Sequence, residues 1–355
     1  MSSVRAASVE TEMLGPVQIN GTVVTSSPDG QAALVAVPIY SAEATRKRLY
    51  VWRRGAPGLR FVATEPGYPS PEVGAVSDDG QEVESTCGRF VVCRWRSSRL
   101  VSRFAAGGCG RINGAASEGN VETVSLGVAE VGCTSHGPGD DMVRDTFYRD
   151  GHKTAQIVAG ALGLNGPFES TDGDTLVFQV GSNTFVYSGG HHRELTVHEH
   201  IVTASQNDNY LVLGKLHPRK GISNPNYDEA SYRVFNVATG TSQEWVPPPS
   251  NSGGNEQVAE VLAVSNDGNT LLFFENGAWP RCEALALGQC GLSVVDVASG
   301  IVTEVIGLPG KAHEELRAPD MSADGGTVFF SQVLEPCGNR TYLCHEQVRV
   351  ARLSG

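Results

Sequence analysis

No stretch of this chain reaches the roughly 20 consecutive apolar residues that a helix needs to span a bilayer, and Met1-Ser2-Ser3-Val4 lacks the apolar core of a signal peptide. The expectation is a soluble protein with any leader removed. No segment sustains a 3.6-residue apolar period, which disfavours a helical solenoid. Basic side chains are scarce: 27 Lys and Arg stand against 39 Asp and Glu, a formal net charge of -12, and the one cationic run is Arg46-Lys47-Arg48. Nucleic acid is not expected as a partner, since its recognition needs a basic face that displaces counterions. The eight cysteines include neither Cys-x-x-Cys nor zinc-finger Cys/His spacing. Gly-x-Ser-x-Gly, His-Glu-x-x-His and a glycine-rich phosphate loop are all missing, so no catalytic residue is assigned.

What the chain does have is a tetrapeptide that returns before short hydrophobic runs: Ser27-Gly30, Ser77-Gly80, Ser170-Gly173, Ser265-Gly268 and Ser322-Gly325 all read Ser-x-Asp-Gly. Asp caps backbone amides and Gly accepts the positive φ that other residues resist, so each copy predicts a tight turn between two strands. The runs that follow, such as Ala32-Val37, Leu271-Phe274 and Val328-Phe330, are continuously apolar, as in strands buried on both faces. A more alternating strand, a glycine turn and a further strand come next, giving four strands per unit. Two degenerate copies, Ser117-Asn120 and Ser205-Asp208, bring the count to seven, with starts spaced by 35 to 60 residues, near the period of propeller blades.

The expected fold is therefore all-β: one seven-bladed propeller domain of four-stranded antiparallel blades, at about 17–66, 72–106, 110–160, 165–198, 200–247, 257–307 and 316–353. The last unit ends one strand short. The segment Val4-Leu14, apolar at Val9 and Met13, would complete it and close the ring, which removes exposed edges.

The Ser-x-Asp-Gly turn followed by a hydrophobic strand resembles the TolB-like propeller repeat family, within the wider set of WD-repeat-like propellers, from Val17 to Leu353. That resemblance implies a binding scaffold, a periplasmic assembly protein or a peptidase-gating propeller, of bacterial origin. The third and fifth units depart from the motif, which leaves the blade count open by one.

Antiparallel order puts the Ser-x-Asp-Gly turns and the glycine turns at one end of every blade. Longer segments fall at the other end: Pro38-Arg48, Thr134-Asp145, Lys215-Ser231, Glu275-Gly291 and Val333-Glu346. An even cysteine count with close neighbours predicts disulfides Cys87–Cys93, Cys282–Cys290 and Cys337–Cys344 closing those segments. Cys109–Cys133 follows from the start of an inner strand lying beside the end of the second; crossed pairing among Cys87, Cys93, Cys109 and Cys133 is the alternative. Oxidised pairs imply an extracellular, periplasmic or cell-surface protein.

The expected function is recognition of a protein, peptide or glycan through the long-loop face by a monomer. His136, Asp140, Asp141, His217, Tyr227, Asp228, Trp279, Arg281 and His313 are the candidate binding residues on that face, because ordered loops on a rigid scaffold carry recognition. No cofactor is predicted, although oxygen-rich loops leave Ca²⁺ open and His198 with His200, alternating on a strand, could ligate a transition metal. The competing expectation is a hydrolase or lyase, metal-dependent or not, with its site at the central pore mouth.

Overall fold

The computed structural model describes residues 8–14, 21–40, 45–66, 73–112, 115–135, 142–160, 164–170, 174–188, 191–217, 228–248, 259–276, 289–307, 316–333 and 346–354. Its described elements are seven antiparallel sheets without a helix, the fold class of a seven-bladed β-propeller. Two compact units divide them, Gly21–His198 and Glu199–Gly355 with Met1–Asn20.

The unit Gly21–His198 holds blades one to four. Blade one runs Thr22–Ser26, Ala32–Tyr40, Thr45–Arg53 and Leu59–Pro66; blade two runs Gly74–Val76, Glu82–Gly88, Val91–Arg96 and Arg99–Ala105. Blade three, with Ala115–Ser125, Val128–Ser135, Met142–Arg149 and His152–Gly160, gains a fifth, two-residue strand, Arg111–Ile112, outside its first. Blade four is Leu164–Glu169, Thr175–Val180, Asn183–Ser188 and His191–Leu195.

The other unit holds blade five (His200–Ala204, Tyr210–His217, Asp228–Asn236, Ser242–Trp245), blade six (Ala259–Val264, Thr270–Asn276, Gln289–Asp296, Ile301–Gly307) and blade seven (Leu316–Met321, Thr327–Val333, Glu346–Ser354). Ser8–Met13 completes blade seven, antiparallel to the last strand, with Ser8 opposite Ser354 and Met13 opposite Arg349. The strand left over at one end of the chain thus fills the place left empty at the other.

The Ser-x-Asp-Gly turns at Ser27, Ser77, Ser265 and Ser322 are each held by their own serine. Ser265 is buried; its Oγ donates to Asp267 Oδ1 at 2.6 Å and accepts from Thr270 N at 2.9 Å, while Asp267 Oδ1 also accepts from Asn269 N at 3.0 Å. The same bonds recur at Ser27, Ser77 and Ser322. At Gly268 the backbone turns to φ +74, and a Cβ there would also stand 2.4 Å from the Tyr210 ring of the neighbouring blade. The degenerate copy at Ser205 keeps this architecture with different residues: Asn207 replaces the aspartate (Ser205 Oγ to Asn207 Oδ1, 2.8 Å), and Asp208 takes the glycine's positive φ of 55°. Asn and Asp tolerate that region better than other side chains.

Ser117-Asn120 is not a turn. It lies within the long first strand Ala115–Ser125, and blade three turns instead at Leu126-Gly127, where Gly127 has φ +85. The copy lacks the aspartate that would cap the turn amides, so nothing stops the strand there, and Ser117 Oγ donates outward to the carbonyls of Cys109 and Gly110. The second-to-third-strand segments are also more regular than expected. Pro38 to Tyr40 and Thr45 to Arg48 pair as ladder partners, because Val, Ile and Tyr continue the strand pattern, and the hairpin closes only beyond Tyr40.

Burial follows the expected layering. Ala32 to Ala36, Leu271 to Phe273 and Val328 to Phe330 are fully buried in second strands. Between blades five and six, Tyr232, Trp245 and Phe273 stack with ring centroids 5.7 and 4.9 Å apart, and Tyr232 Oη donates to Ala259 O. Buried aromatics with a satisfied polar tip fix the angle between blades.

The serine bonds set a stability expectation. Ser265→Ala removes two part-buried hydrogen bonds and leaves the Asp267 carboxylate and a strand amide short of a partner, so it should cost about 1–3 kcal/mol. Urea unfolding of the wild type and variant, with equal m-values, measures it; a loss below about 0.5 kcal/mol would mean that the turn holds itself by backbone geometry alone.

Candidate functional site

Backbone bonds gather the two sets of turns at one end of blades one, two, five and six, and tie the last strand of blade seven to its Ser-x-Asp-Gly turn. Arg54 N donates to Gln31 O, Ser97 N to Gln81 O, Val237 N to Asn209 O, Val297 N to Asn269 O and Leu353 N to Gly326 O. This end is short and regular. Neighbouring turns are also bonded: Asp29 N donates to Asp78 Oδ1 at 3.2 Å, Asn207 N to Asn266 Oδ1 at 3.1 Å, and Asn266 N to Ala323 O at 2.6 Å. The variable second residue of the motif is thus the acceptor for the preceding blade.

His136, Asp140, Asp141, Tyr227, Trp279, Arg281 and His313 lie outside the described residues. His217 and Asp228 are described in their backbone and brought together: they close the second hairpin of blade five as direct ladder partners. Cys87 is bonded to Cys93 across the tight Arg89-Phe90 turn of blade two, with Cα atoms 5.8 Å apart, and Cys109 to Cys133 in blade three at 5.5 Å. Cys290 is also disulfide-bonded, while Cys282, Cys337 and Cys344 lie outside the described residues. His198 is exposed, with Nδ1 3.0 Å from Ser182 O, and His200 is exposed at the start of blade five.

Among the described residues, the one group of three or more potential metal ligands with its atoms within 4.8 Å of each other is Glu122, Glu130 and Asp145 in blade three; neither histidine belongs to it. Sequence reasoning did not single out these carboxylates. Glu130 sits on the second strand and Asp145 on the third, diagonal to one another because Glu130 faces Phe147 and Gly132 faces Asp145. Glu122 is the extra residue of a bulge in the first strand, between the pairs Val121–Val131 and Thr123–Glu130. The bulge turns its carboxylate over Gly132, where a Cβ would lie 2.1 Å from that group. Any other residue at 132 would push Glu122 out of the cluster.

Burial pushes the Asp145 carboxyl up to about 7, helped by the neighbouring Glu122 charge, and burial raises Glu122 as well. Asp145 is 2% exposed and its Oδ1 has no hydrogen-bond partner among the described residues. The legible signal was a charged residue inside an otherwise apolar second strand, Val128-Ala129-Glu130-Val131.

A second feature is the fourth strand of blade two. Arg99, Leu100, Val101, Ser102 and Arg103 are consecutive exposed residues on a strand paired only to Val91–Arg96, with Leu100 and Val101 about half exposed. Residues 21–112, which contain blades one and two, carry twelve basic against eight acidic side chains in a chain whose net charge is -12.

No protein-family model and no curated protein matches this chain. Solved structures do resemble it. A chain of "Crystal Structure of Mitotic Checkpoint Complex" matches with a TM-score of 0.52 at 14% identity, covering 98% of this chain and 94% of that one. The Cps50 (Swd1) β-propeller domain of Myceliophteria thermophila matches at 0.50 and 11% identity, over 99% of both chains. The WD40 β-propeller domain of Doa1 matches at 0.50 and 9% identity, over 99% and 97%. At such identities the likeness is one of fold, a WD-repeat-like propeller.

The acidic cluster has a pH signature in metal-free protein. Below the ordinary carboxylate range both states hold the Asp145 proton. Between there and about pH 7 the unfolded chain ionises while the folded one keeps its proton, so stability falls with rising pH and levels off above about 7. Asp145→Asn should remove up to about 4 kcal/mol of this decline, at about 1.4 kcal/mol per pKa unit. Unfolding from pH 4 to 8 in EDTA reads it; parallel curves for the two proteins would show Asp145 ionising normally.

Proposed function

We propose that this protein is a recognition module of the TolB-like kind, exported to an oxidising compartment, that binds an acidic segment of a protein partner. The observation that carries this reading is the Arg99–Arg103 strand. An edge strand offers a row of unpaired backbone groups, and a partner strand can add to it with its side chains alternating along the edge. Two half-exposed aliphatic residues set between arginines match a strand of acidic and apolar residues, and the arginines repel a basic one. Edge arginines also discourage self-association, but they do not call for Leu100 and Val101 between them. That a propeller of similar fold belongs to a Mitotic Checkpoint Complex agrees with a role in assembly. The long-loop face, with His217 and Asp228 at the neck of one loop, is proposed as a second contact region.

A displayed library of random peptides selected on the purified protein tests this. Enriched sequences should carry Asp or Glu beside aliphatic residues, and enrichment should fall at least tenfold on an Arg99→Glu, Leu100→Ser, Arg103→Glu variant that unfolds at the wild-type temperature. Enrichment without acidic residues, or unchanged on the variant, overturns the reading.

The exported reading has its own check. With Cys87, Cys93, Cys109, Cys133 and Cys290 all bonded, protein from its native source, denatured without reductant, should show no labelling of these five by a maleimide. Stoichiometric labelling there would place the protein in a reducing compartment.

A further inference from the structure

From the Glu122, Glu130 and Asp145 cluster we infer a binding site for one hard divalent cation of the size of Ca²⁺, built into blade three. The three residues come from three neighbouring strands, and their ligand oxygens lie within 4.8 Å of one another. Two oxygens around one Ca²⁺ at 2.3–2.6 Å can stand up to about 5 Å apart, so the carboxylates can share an ion where they are. Every donor is a carboxylate oxygen, the ligand class of Ca²⁺ and Mn²⁺ and not of thiolate- or imidazole-selecting metals.

Independently of the clustering, Asp145 points to a ligand. It is almost wholly buried, and its Oδ1 is unpartnered among the described residues. A buried carboxylate oxygen without a hydrogen bond is costly, and the Glu122 and Glu130 carboxylates within 4.8 Å carry the same sign. Other second-strand carboxylates in this protein are met differently. Glu84 in blade two is opposite Arg94, which bonds to it, and accepts from Gly127 N at 3.0 Å. Glu275 in blade six accepts from Ser293 Oγ at 2.6 Å. In blade three the residue directly opposite Glu130 is Phe147, and the third-strand side chain brought diagonally beside it is another carboxylate, Asp145.

Glu122 gives the ion a way in. It is exposed where Glu130 and Asp145 are buried, so a cation could dehydrate stepwise and keep water on its outer side. Gly132 leaves room for the Glu122 carboxylate to close over the site. The bound ion would tie the bulged first strand to the second and third, a structural role separate from recognition at the Arg99–Arg103 edge.

The test is calorimetric titration of EDTA-stripped full-length protein with CaCl₂, and with TbCl₃ read by luminescence. One saturable site is expected. Asp145→Asn should weaken it at least tenfold and Glu122→Gln several-fold, and Ca²⁺ should raise the unfolding temperature of the wild type but not of Asp145→Asn. Should Asp145→Asn fail to fold, Glu122→Gln, at an exposed position, decides the matter. The inference is overturned if the wild type shows no saturable binding of either ion, or if the affinity is the same in Glu122→Gln as in the wild type. Its failure would leave the peptide selection untouched, since that depends on different residues.

Discussion

A serine hydroxyl that bonds in two directions is the interaction on which blades one, two, five, six and seven depend. In Ser-x-Asp-Gly the hydroxyl accepts from the amide five residues on and donates to the aspartate two residues on, which in turn accepts from the amide four residues on. Three groups that would otherwise be left unpaired where the chain reverses are satisfied in one small knot. The reversal then launches the second strand in a fixed direction, and the second strand is the one buried on both faces. Since the knot recurs in blades one, two, five, six and seven, their second strands are delivered in the same way. Six of the seven first strands also carry a register shift, and such bulges add twist near the turn.

The knot also accounts for what was legible in the sequence. Where serine, a side-chain acceptor and a residue tolerant of positive φ stand in order, the turn forms whatever the letters: Ser205-Gln206-Asn207-Asp208 works because Asn207 offers an amide oxygen in place of a carboxylate and Asp208 accepts φ of 55°. Where the acceptor is missing, the likeness misleads. Ser117-Glu118-Gly119-Asn120 has serine and glycine but no acceptor two residues after the serine, and the strand runs on to Gly127. The signature is therefore an arrangement of hydrogen-bonding groups more than a string of residue types. The N-terminal strand was legible for a different reason, namely that an incomplete blade has an unpaired edge and the alternating segment near Val9 and Met13 could cover it.

The functional residues were much less legible, and the reason is physical. A turn is local, so its partners lie within five residues. The acidic cluster joins residues 122, 130 and 145, and what brings them together is a bulge and a diagonal cross-strand relation that alternate registers would break. Glu122 reads as an ordinary exposed residue until the bulge rotates it, and Gly132 reads as a weak point in a buried strand until the Glu122 carboxylate is seen above it. Arg99–Arg103 has the opposite character: its residues are consecutive, but only the knowledge that this is a fourth strand, paired on one side, makes its exposure meaningful.

The second strands offer a controlled comparison of how one fold handles a buried carboxylate. They should be wholly apolar, since both faces are covered, and yet Glu84, Glu130 and Glu275 occupy them in blades two, three and six. Glu84 is neutralised by Arg94, which also reaches Asp150 of blade three at 2.9 Å, so its charge links two blades. Glu275 accepts from the neutral Ser293 hydroxyl on the third strand. Glu130 has Asp145 diagonal to it, and the Glu122 carboxylate brings a third ligand oxygen within 4.8 Å. A charge pair, a neutral donor and a gathering of like charges are distinct solutions to the same desolvation cost, and only the last is improved by bringing in an ion from outside. The second strand of blade three is thus the one beside which carboxylates are gathered and not kept apart.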